Sequence, residues 1–391
     1  MRKFILALAL GVMLIFGATD MLRGVAAPFL QHDLKLNYLH LGYLFSSNSL
    51  GYLAGSLAAG FVMDRLGLRF VQATGIGVTV GGMALIAVSG NFLAMFGGFV
   101  ITGLGGGWLE IAVNGVVPAM AESSLGQAKL FNWLHGFYGV GAFTFPVIAA
   151  WLIQSTHGWR SVYLILATVL ALGIIVALAA NYSGLTVTRT KKEDAIPIRK
   201  LFAQPILYGL LVGIVTYVMA EVGMATWLPT YLVQLHGFSL ARGSLYLSGF
   251  YLTFTVGRLT AHTWVHKIGS ERAILISSVF AIIFVLVTVF GHGAWLFAVV
   301  VAGFGFAVIF PTIAAVASSI FADHAGKVLG LLFSASAIGS LTANSLIGWL
   351  ATVLGLKYGF ALIGIFLFLV FISTIFIIWL QRARVLPSDL V

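Results

Sequence analysis

Long apolar stretches alternate with short polar turns along nearly the whole chain. A helix that crosses a bilayer needs about 20 apolar residues, and twelve of the stretches reach that scale. We predict membrane-spanning helices at 4–30, 39–63, 71–90, 93–120, 129–154, 160–181, 205–233, 240–264, 271–291, 294–321, 327–352 and 358–380. The first stretch is too long for the apolar core of a signal peptide, so we expect it to be an uncleaved helix.

One long polar connection interrupts this pattern between the sixth and seventh predicted helices. It carries Arg189, Lys191, Lys192, Glu193, Asp194, Arg199 and Lys200. The sequence therefore predicts an N-terminal half of six helices (1–181), a cytoplasmic linker (182–203) and a C-terminal half of six helices (204–391). Glycine motifs recur at an offset of about 200 residues, and a parallel repeat of this kind places a binding site between the halves near the bilayer midplane. Because the chain has 46 glycines, chance recurrence is the alternative explanation.

Composition and charge agree with a membrane protein. Only 8% of the 391 residues are charged, whereas soluble globular chains carry roughly 25%. With both termini in the cytoplasm, fifteen Lys and Arg residues fall in cytoplasmic segments and four in outer loops, as the positive-inside rule expects. The net charge of +10 is scattered in ones and twos, which argues against nucleic-acid binding. The absence of cysteine excludes disulfides and thiol chemistry.

The strongest local motif is the turn between the second and third predicted helices, which reads GFVMDRLGLR. Gly60 would let helices approach closely, and Gly67 would permit a tight reversal of the chain. Asp64 can cap a helix end or pair with a basic residue, which gives the loop two arrangements. An ordinary basic turn is the alternative. We assign a gating role to Gly60, Asp64, Arg65, Gly67 and Arg69, and to Arg258 in the second half.

Three acids within predicted helices are candidates for proton coupling: Asp20, Glu110 and Glu221. A charge at the bilayer centre costs at least ~2.5–3.5 kcal/mol, so each of them is a functional candidate. Arg23 follows Asp20 by three residues on the same helical face, and their pairing would neutralise both. Glu110 lies in the middle of its span, where a carboxyl group can bind and release a proton in each cycle. A purely structural, hydrogen-bonded acid is the alternative.

Polar side chains at helical spacing are candidates for substrate binding. In the predicted helix 129–154, polar residues recur every three positions, at Asn132, His135 and Tyr138. The predicted helix 205–233 carries an acid, a tyrosine and a tryptophan. These suit a sugar, which needs hydrogen bonds and an aromatic face. We assign substrate binding to Asn114, Asn132, His135, Tyr138, Tyr217, Trp227, Ser336 and Asn344. Helix contacts and an interfacial aromatic belt are the alternative roles. We expect no metal site, because no second histidine lies one turn from His135.

The turn from Gly60 to Arg69 resembles the signature loop of the major facilitator superfamily. Within that superfamily, the chain most resembles the fucose/galactose/glucose-proton symporter family, especially its bacterial glucose/mannose branch. The segments that carry it are Gly103 to Glu110, Leu134 to Pro146, Glu221, Gly257-Arg258, Ile309 to Pro311, Phe333 to Ser336 and Ile347 to Trp349. The resemblance implies that Glu110 is the proton-coupling acid and Asp20 a second acid. His135 and Tyr138 depart from the Gln and Asn of the fucose symporter.

Together these observations predict an all-α membrane protein with the major facilitator fold, made of two pseudo-symmetric six-helix halves. We expect proton-coupled symport of a hexose or similar small polar solute by alternating access. The alternative is a proton-driven efflux antiporter for drugs or metabolites. We expect no cofactor, H⁺ as the coupling ion with Na⁺ as the alternative, and no enzymatic activity. The expected partners are a small-molecule substrate and the bilayer of a bacterial cell membrane, with the protein a monomer.

Overall fold

The computed structural model describes residues 2–120, 124–155, 158–180, 182 and 198–385, and their backbone is almost entirely helical. Two short 3₁₀ turns, Gly293–Phe297 and Ala322–His324, accompany the α-helices. The helices are α1 (Arg2–Asp33), α2 (Tyr38–Val88), α3 (Phe92–Met120), α4 (Ser124–Ser155), α5 (Trp159–Ala179), α6 (Ile198–Phe202), α7 (Pro205–His236), α8 (Leu240–Ile268), α9 (Ser270–Phe290), α10 (Ala298–Ile320), α11 (Ala325–Leu354) and α12 (Leu356–Val385).

Ten stretches of the described residues are long and apolar enough to cross a membrane. The part of α2 before Arg65 and the whole of α8 are not among them. The predicted helices 39–63 and 71–90 form one long element, α2, which is interrupted at Gly67. Gly67 has φ +79° and ψ +169°, a left-handed conformation that favours glycine. The predicted reversal at Gly67 is therefore confirmed as a break in the helix.

The chain forms two compact units. The first contains Met1–Arg189 with Ala225–Ser248 and Asn344–Leu356, and the second contains Thr190–Met224, Gly249–Ala343 and Lys357–Val391. Most of the predicted linker, 183–197, lies outside the described residues. The division of the chain into two six-helix halves stays a prediction.

Glycines of α3 set its distance from α2 within the first unit. A Cβ atom on Gly103 would overlap the carbonyl oxygen of Asn48, and one on Gly107 would overlap that of Tyr52. On the facing helix, a Cβ on Gly51 would overlap the carbonyl oxygen of Val100. Small residues of this kind let helix backbones touch in a membrane, where lipid supplies no hydrophobic drive for helix association. The backbones of α2 and α3 are therefore in direct contact.

The second unit uses the same packing device. A Cβ on Gly303 of α10 would overlap the carbonyl oxygen of Phe250 in α8. A Cβ on Gly257 of α8 would lie 2.7 Å from the Cβ of Ala307 in α10. Carbon atoms normally approach to about 3.5–4.0 Å, so neither position accepts a larger residue without movement of the helices.

Candidate functional site

A cluster of polar side chains lies where α1, α2 and α4 meet in the first unit. The guanidinium group of Arg23 forms an ion pair with Asp20 and donates a hydrogen bond to the side-chain oxygen of Asn48. The hydroxyl of Tyr138 donates to the second carboxylate oxygen of Asp20 at 2.9 Å. The Arg23 and Asp20 side chains are 15% and 21% exposed, so the pair is largely withdrawn from the surface. The predicted pairing of Asp20 with Arg23 is confirmed.

Glu110 forms a second polar contact in the same unit. The hydroxyl of Tyr52 in α2 donates to the carboxyl group of Glu110 in α3 at 2.6 Å. Among the residues that the structure describes, no basic nitrogen lies within 4.0 Å of this carboxyl group. Glu110 therefore has a neutral partner, whereas Asp20 has a cationic one.

One aromatic ring lies between these two polar contacts. Phe16 of α1 stacks on Tyr52 with the ring centroids 6.4 Å apart and the planes 10° apart. The same ring packs against Tyr138 at 5.8 Å with the planes at 58°. Each tyrosine thus presents its hydroxyl to one acid and its ring to Phe16. The two acids belong to one continuous cluster of aromatic and polar side chains.

Glycine contacts place the tyrosines within reach of the acids. Gly107 packs against the backbone of Tyr52, and Glu110 follows it on the same helix by three residues. Gly17 packs in the same way against the carbonyl oxygen of Tyr138, and Asp20 follows it by three residues. In both cases the glycine contacts the backbone of a tyrosine. The acid one turn after the glycine then accepts a hydrogen bond from the hydroxyl of that tyrosine.

Asn114 is the predicted substrate residue next to Glu110. It follows Glu110 by four residues on α3, which places both side chains on one helical face. Its side-chain oxygen is buried, and in the described part of the chain it has no hydrogen-bond partner. A buried acceptor without a partner is costly and is available to a donor group of a ligand.

In the second unit, Tyr217 and Arg258 are held by backbone carbonyls. The fully buried Tyr217 donates its hydroxyl to the carbonyl oxygen of Phe306 at 2.9 Å and interacts with Glu221 one turn later. Arg258 lies over the ring of Phe254, 4.3 Å from its centroid, and its Nε donates to the carbonyl oxygen of Ala307 at 3.3 Å. Tyr217 and Arg258 therefore tie α7 and α8 to α10.

Trp227 and Asn344 lie together in the first unit. The indole nitrogen of Trp227 donates to the side-chain oxygen of Asn344 at 3.0 Å. Both residues are almost fully buried, at 0% and 1% exposure. Tyr38 and Phe45 pack against the indole ring. The two residues, predicted separately as substrate ligands, are brought into direct contact inside a packed cluster.

The remaining predicted substrate residues are less enclosed. Asn132 and His135 are exposed, in the third and fourth turns of α4. Ser336 donates to the carbonyl oxygen of Phe333 in its own helix at 2.7 Å. Their role in substrate binding stays a prediction.

The predicted gating loop is only partly seen. A Cβ on Gly60 would meet no atom within 4 Å, so Gly60 is not required for close helix packing in this arrangement. The side chain of Asp64 lies outside the described part of the structure, and Arg65 is exposed. Arg69 donates a hydrogen bond to the carbonyl oxygen of Leu178 near the end of α5.

Sequence reasoning missed Asn48 and Tyr52, the partners of Arg23 and Glu110. They stand four residues apart in α2 and so share one helical face. This spacing in a serine-rich part of an apolar helix was the available signal. The partners themselves depend on how α2 is rotated against α1 and α3.

A known protein family matches most of this chain. The family model described as Major Facilitator Superfamily matches residues 8–298 and 243–389. A fosmidomycin resistance protein of Escherichia coli (strain K12) is 23% identical over 321 residues, which cover 81% of this chain and 79% of that protein.

Two solved structures share the fold at low sequence identity. One is a bacterial homologue of the human lysosomal transporter Spinster, with a TM-score of 0.82, 13% identity, and coverage of 97% of this chain and 98% of that chain. The other is a D-xylose-proton symporter, with a TM-score of 0.76, 14% identity, and coverage of 96% and 97%. The chain belongs to the major facilitator superfamily, whose members are multi-pass membrane transporters and not enzymes.

Proposed function

We propose that the protein is a proton-coupled symporter of a hexose or similar small polar solute in a bacterial cell membrane. In this proposal it has twelve membrane-spanning helices in two six-helix halves, with both termini in the cytoplasm, and works by alternating access. The observation that carries the proposal is the difference between its two neighbouring acids. Asp20 is paired with a cation, whereas Glu110 accepts a hydrogen bond from a neutral hydroxyl.

This difference favours Glu110 as the group that carries the proton. Arg23 already compensates the charge of Asp20. An unpaired carboxylate in a low-dielectric interior is costly, so Glu110 favours its neutral form when water is excluded. When alternating access exposes Glu110 to water, the carboxyl group can release its proton while Tyr52 still donates to it. Glu110 is therefore the coupling acid of the proposal, with Asp20 as the fixed charge beside it. Glu221 remains a second-unit candidate through its contact with Tyr217.

The groups around these acids favour a sugar as the substrate. Asn48, Asn114 and Tyr138 offer side-chain amide and hydroxyl groups, and Phe16 offers an aromatic ring. A sugar needs both, because its hydroxyls form hydrogen bonds and its apolar ring face packs on aromatic side chains. Likeness to the D-xylose-proton symporter is compatible with this class, although it extends to the fold alone.

A proton-driven exporter is the second candidate. The relative from Escherichia coli is named for resistance to fosmidomycin, and its similarity covers 81% of this chain. The same fold can host either direction of transport. A proton-carrying Glu110 that accepts a hydrogen bond from Tyr52 would serve an antiporter equally well.

Transport by purified protein in liposomes separates the two candidates. We would add a panel of hexoses outside proteoliposomes and follow the external pH. The symporter predicts alkalinisation outside that depends on one or more sugars and saturates with concentration. Absence of a response to every sugar, together with efflux of an amphipathic dye driven by an imposed proton gradient, would replace the symporter with the exporter.

A further inference from the structure

An open apolar groove lies between α1 and α5 in the first unit. Its volume is about 310 Å³, and every residue that lines it is apolar or glycine. The α1 side runs from Phe4 to Ile15, a length of about 16 Å along the helix axis. The α5 side runs from Val169 to Val176. Its length and apolar lining suit a segment of a hydrocarbon chain.

The groove opens toward the surroundings of the helices. Phe4, Val169 and Val176 on its walls are 67%, 47% and 37% exposed. Both helices belong to stretches that can cross a membrane, so the solvent at this surface is lipid. A Cβ on Gly11 would meet no atom within 4 Å, which shows that the protein leaves space at the floor of the groove.

Positive charge lies at one end of the groove. Arg69 is exposed and donates a hydrogen bond to the carbonyl oxygen of Leu178, two residues beyond Val176 on α5. Basic residues near a bilayer surface attract the headgroups of anionic lipids. An apolar channel with a basic mouth complements a lipid that has an acyl chain and a negatively charged phosphate.

We propose that this groove is a binding site for an anionic phospholipid. One acyl chain lies between α1 and α5, and the phosphate pairs with Arg69. The lipid would hold the end of α5 against the turn after Gly67, because Arg69 would then bridge the Leu178 carbonyl and the phosphate. The proposal does not depend on the substrate, the direction of transport or the coupling ion.

Native mass spectrometry of the purified protein tests the site. The protein would be delipidated in detergent and titrated with dioleoyl phosphatidylglycerol or dioleoyl phosphatidylcholine. We expect a tighter first binding event for the anionic lipid, by about fivefold for one basic residue near the headgroup. Equal binding of the two lipids would overturn the anionic assignment.

Two leucine variants separate this groove from the rest of the lipid-facing surface. Gly11→Leu should abolish the tight event, because its side chain fills the floor of the groove. Gly81→Leu is the matched control, since a Cβ there also meets nothing within 4 Å, and it should bind the lipid as the wild type does. Arg69→Gln should bind both lipids with equal affinity. Unchanged binding in Gly11→Leu, or equal loss in Gly81→Leu, would overturn the site. Circular dichroism and monodisperse elution of each delipidated variant would show that it is folded.

Discussion

Replacing Gly107 by alanine tests whether close packing of α2 on α3 holds the site together. The added methyl group would overlap the carbonyl oxygen of Tyr52 and lie 3.0 Å from the backbone nitrogen of Ser56. Non-bonded heavy atoms normally stay about 3.5 Å apart or more. The two helices must therefore move apart to accept the methyl group. Backbone atoms cannot rotate away as a flexible side chain can.

The expected cost follows from overpacking. Extra methylene groups in a well-packed interior cost about 1–3 kcal/mol, and here the obstacle is a helix backbone. An open helical glycine behaves in the opposite way, because alanine there gains about 0.5–1 kcal/mol of helix stability. Gly81→Ala is the matched control in α2, since its Cβ would meet no atom within 4 Å.

The assay is thermal unfolding in detergent, followed by the loss of monodisperse protein on size-exclusion chromatography. Gly107→Ala should unfold at a lower temperature than the wild type, and Gly81→Ala at the same or a higher temperature. Gly107→Ala should also reduce transport by the surviving folded protein, because separation of the helices moves Tyr52 from Glu110. Equal melting temperatures for the two variants would refute the packing argument.

Three further substitutions test individual contacts. Arg23→Gln leaves Asp20 without its cation, so thermal unfolding should show that the free energy of unfolding falls by up to about 3–5 kcal/mol. The double variant Arg23→Gln/Asp20→Asn should recover part of that stability. An undiminished melting temperature in the single variant would contradict a stabilising ion pair. Tyr52→Phe keeps the ring on Phe16 but leaves the buried Glu110 carboxyl group without its donor, so uptake into liposomes should fall and the free energy of unfolding should drop by about 1–3 kcal/mol. Full activity would show that the hydroxyl is dispensable. Trp227→Phe leaves the buried Asn344 oxygen without its donor and should destabilise the protein by about 1–3 kcal/mol in the same melting assay. An unchanged melting temperature would argue against this hydrogen bond.

Contacts within one helix were predictable from the sequence. Asp20 and Arg23 lie three residues apart, and a helix places such residues on one face, so their ion pair could be derived before the fold was known. The break at Gly67 was predictable for a similar reason, because a glycine in a polar turn between two apolar stretches is the residue that tolerates positive φ. Both features depend on local geometry alone.

Contacts between helices were not predictable. The partner of Glu110 is Tyr52, 58 residues earlier, and it is set by which glycines face each other across α2 and α3. The same limit applies to Gly60, whose predicted packing role has no counterpart in this arrangement, and to Trp227, which bonds to Asn344 instead of standing alone. Helical periodicity gives the face of each residue, but the rotation and neighbours of each helix come from packing.

The central claim is that Glu110 carries the coupled proton, and substrate exchange in proteoliposomes measures it most directly. Glu110→Gln keeps an acceptor for the Tyr52 hydroxyl but cannot ionise. Once a transported sugar is identified, the account predicts that this variant still exchanges labelled for unlabelled sugar at equal pH, while a proton gradient no longer drives accumulation. Asp20→Asn, paired with Arg23→Gln to keep the charge balanced, should retain some gradient-driven uptake. Gradient-driven accumulation by Glu110→Gln at the wild-type level would contradict the assignment of the proton to Glu110.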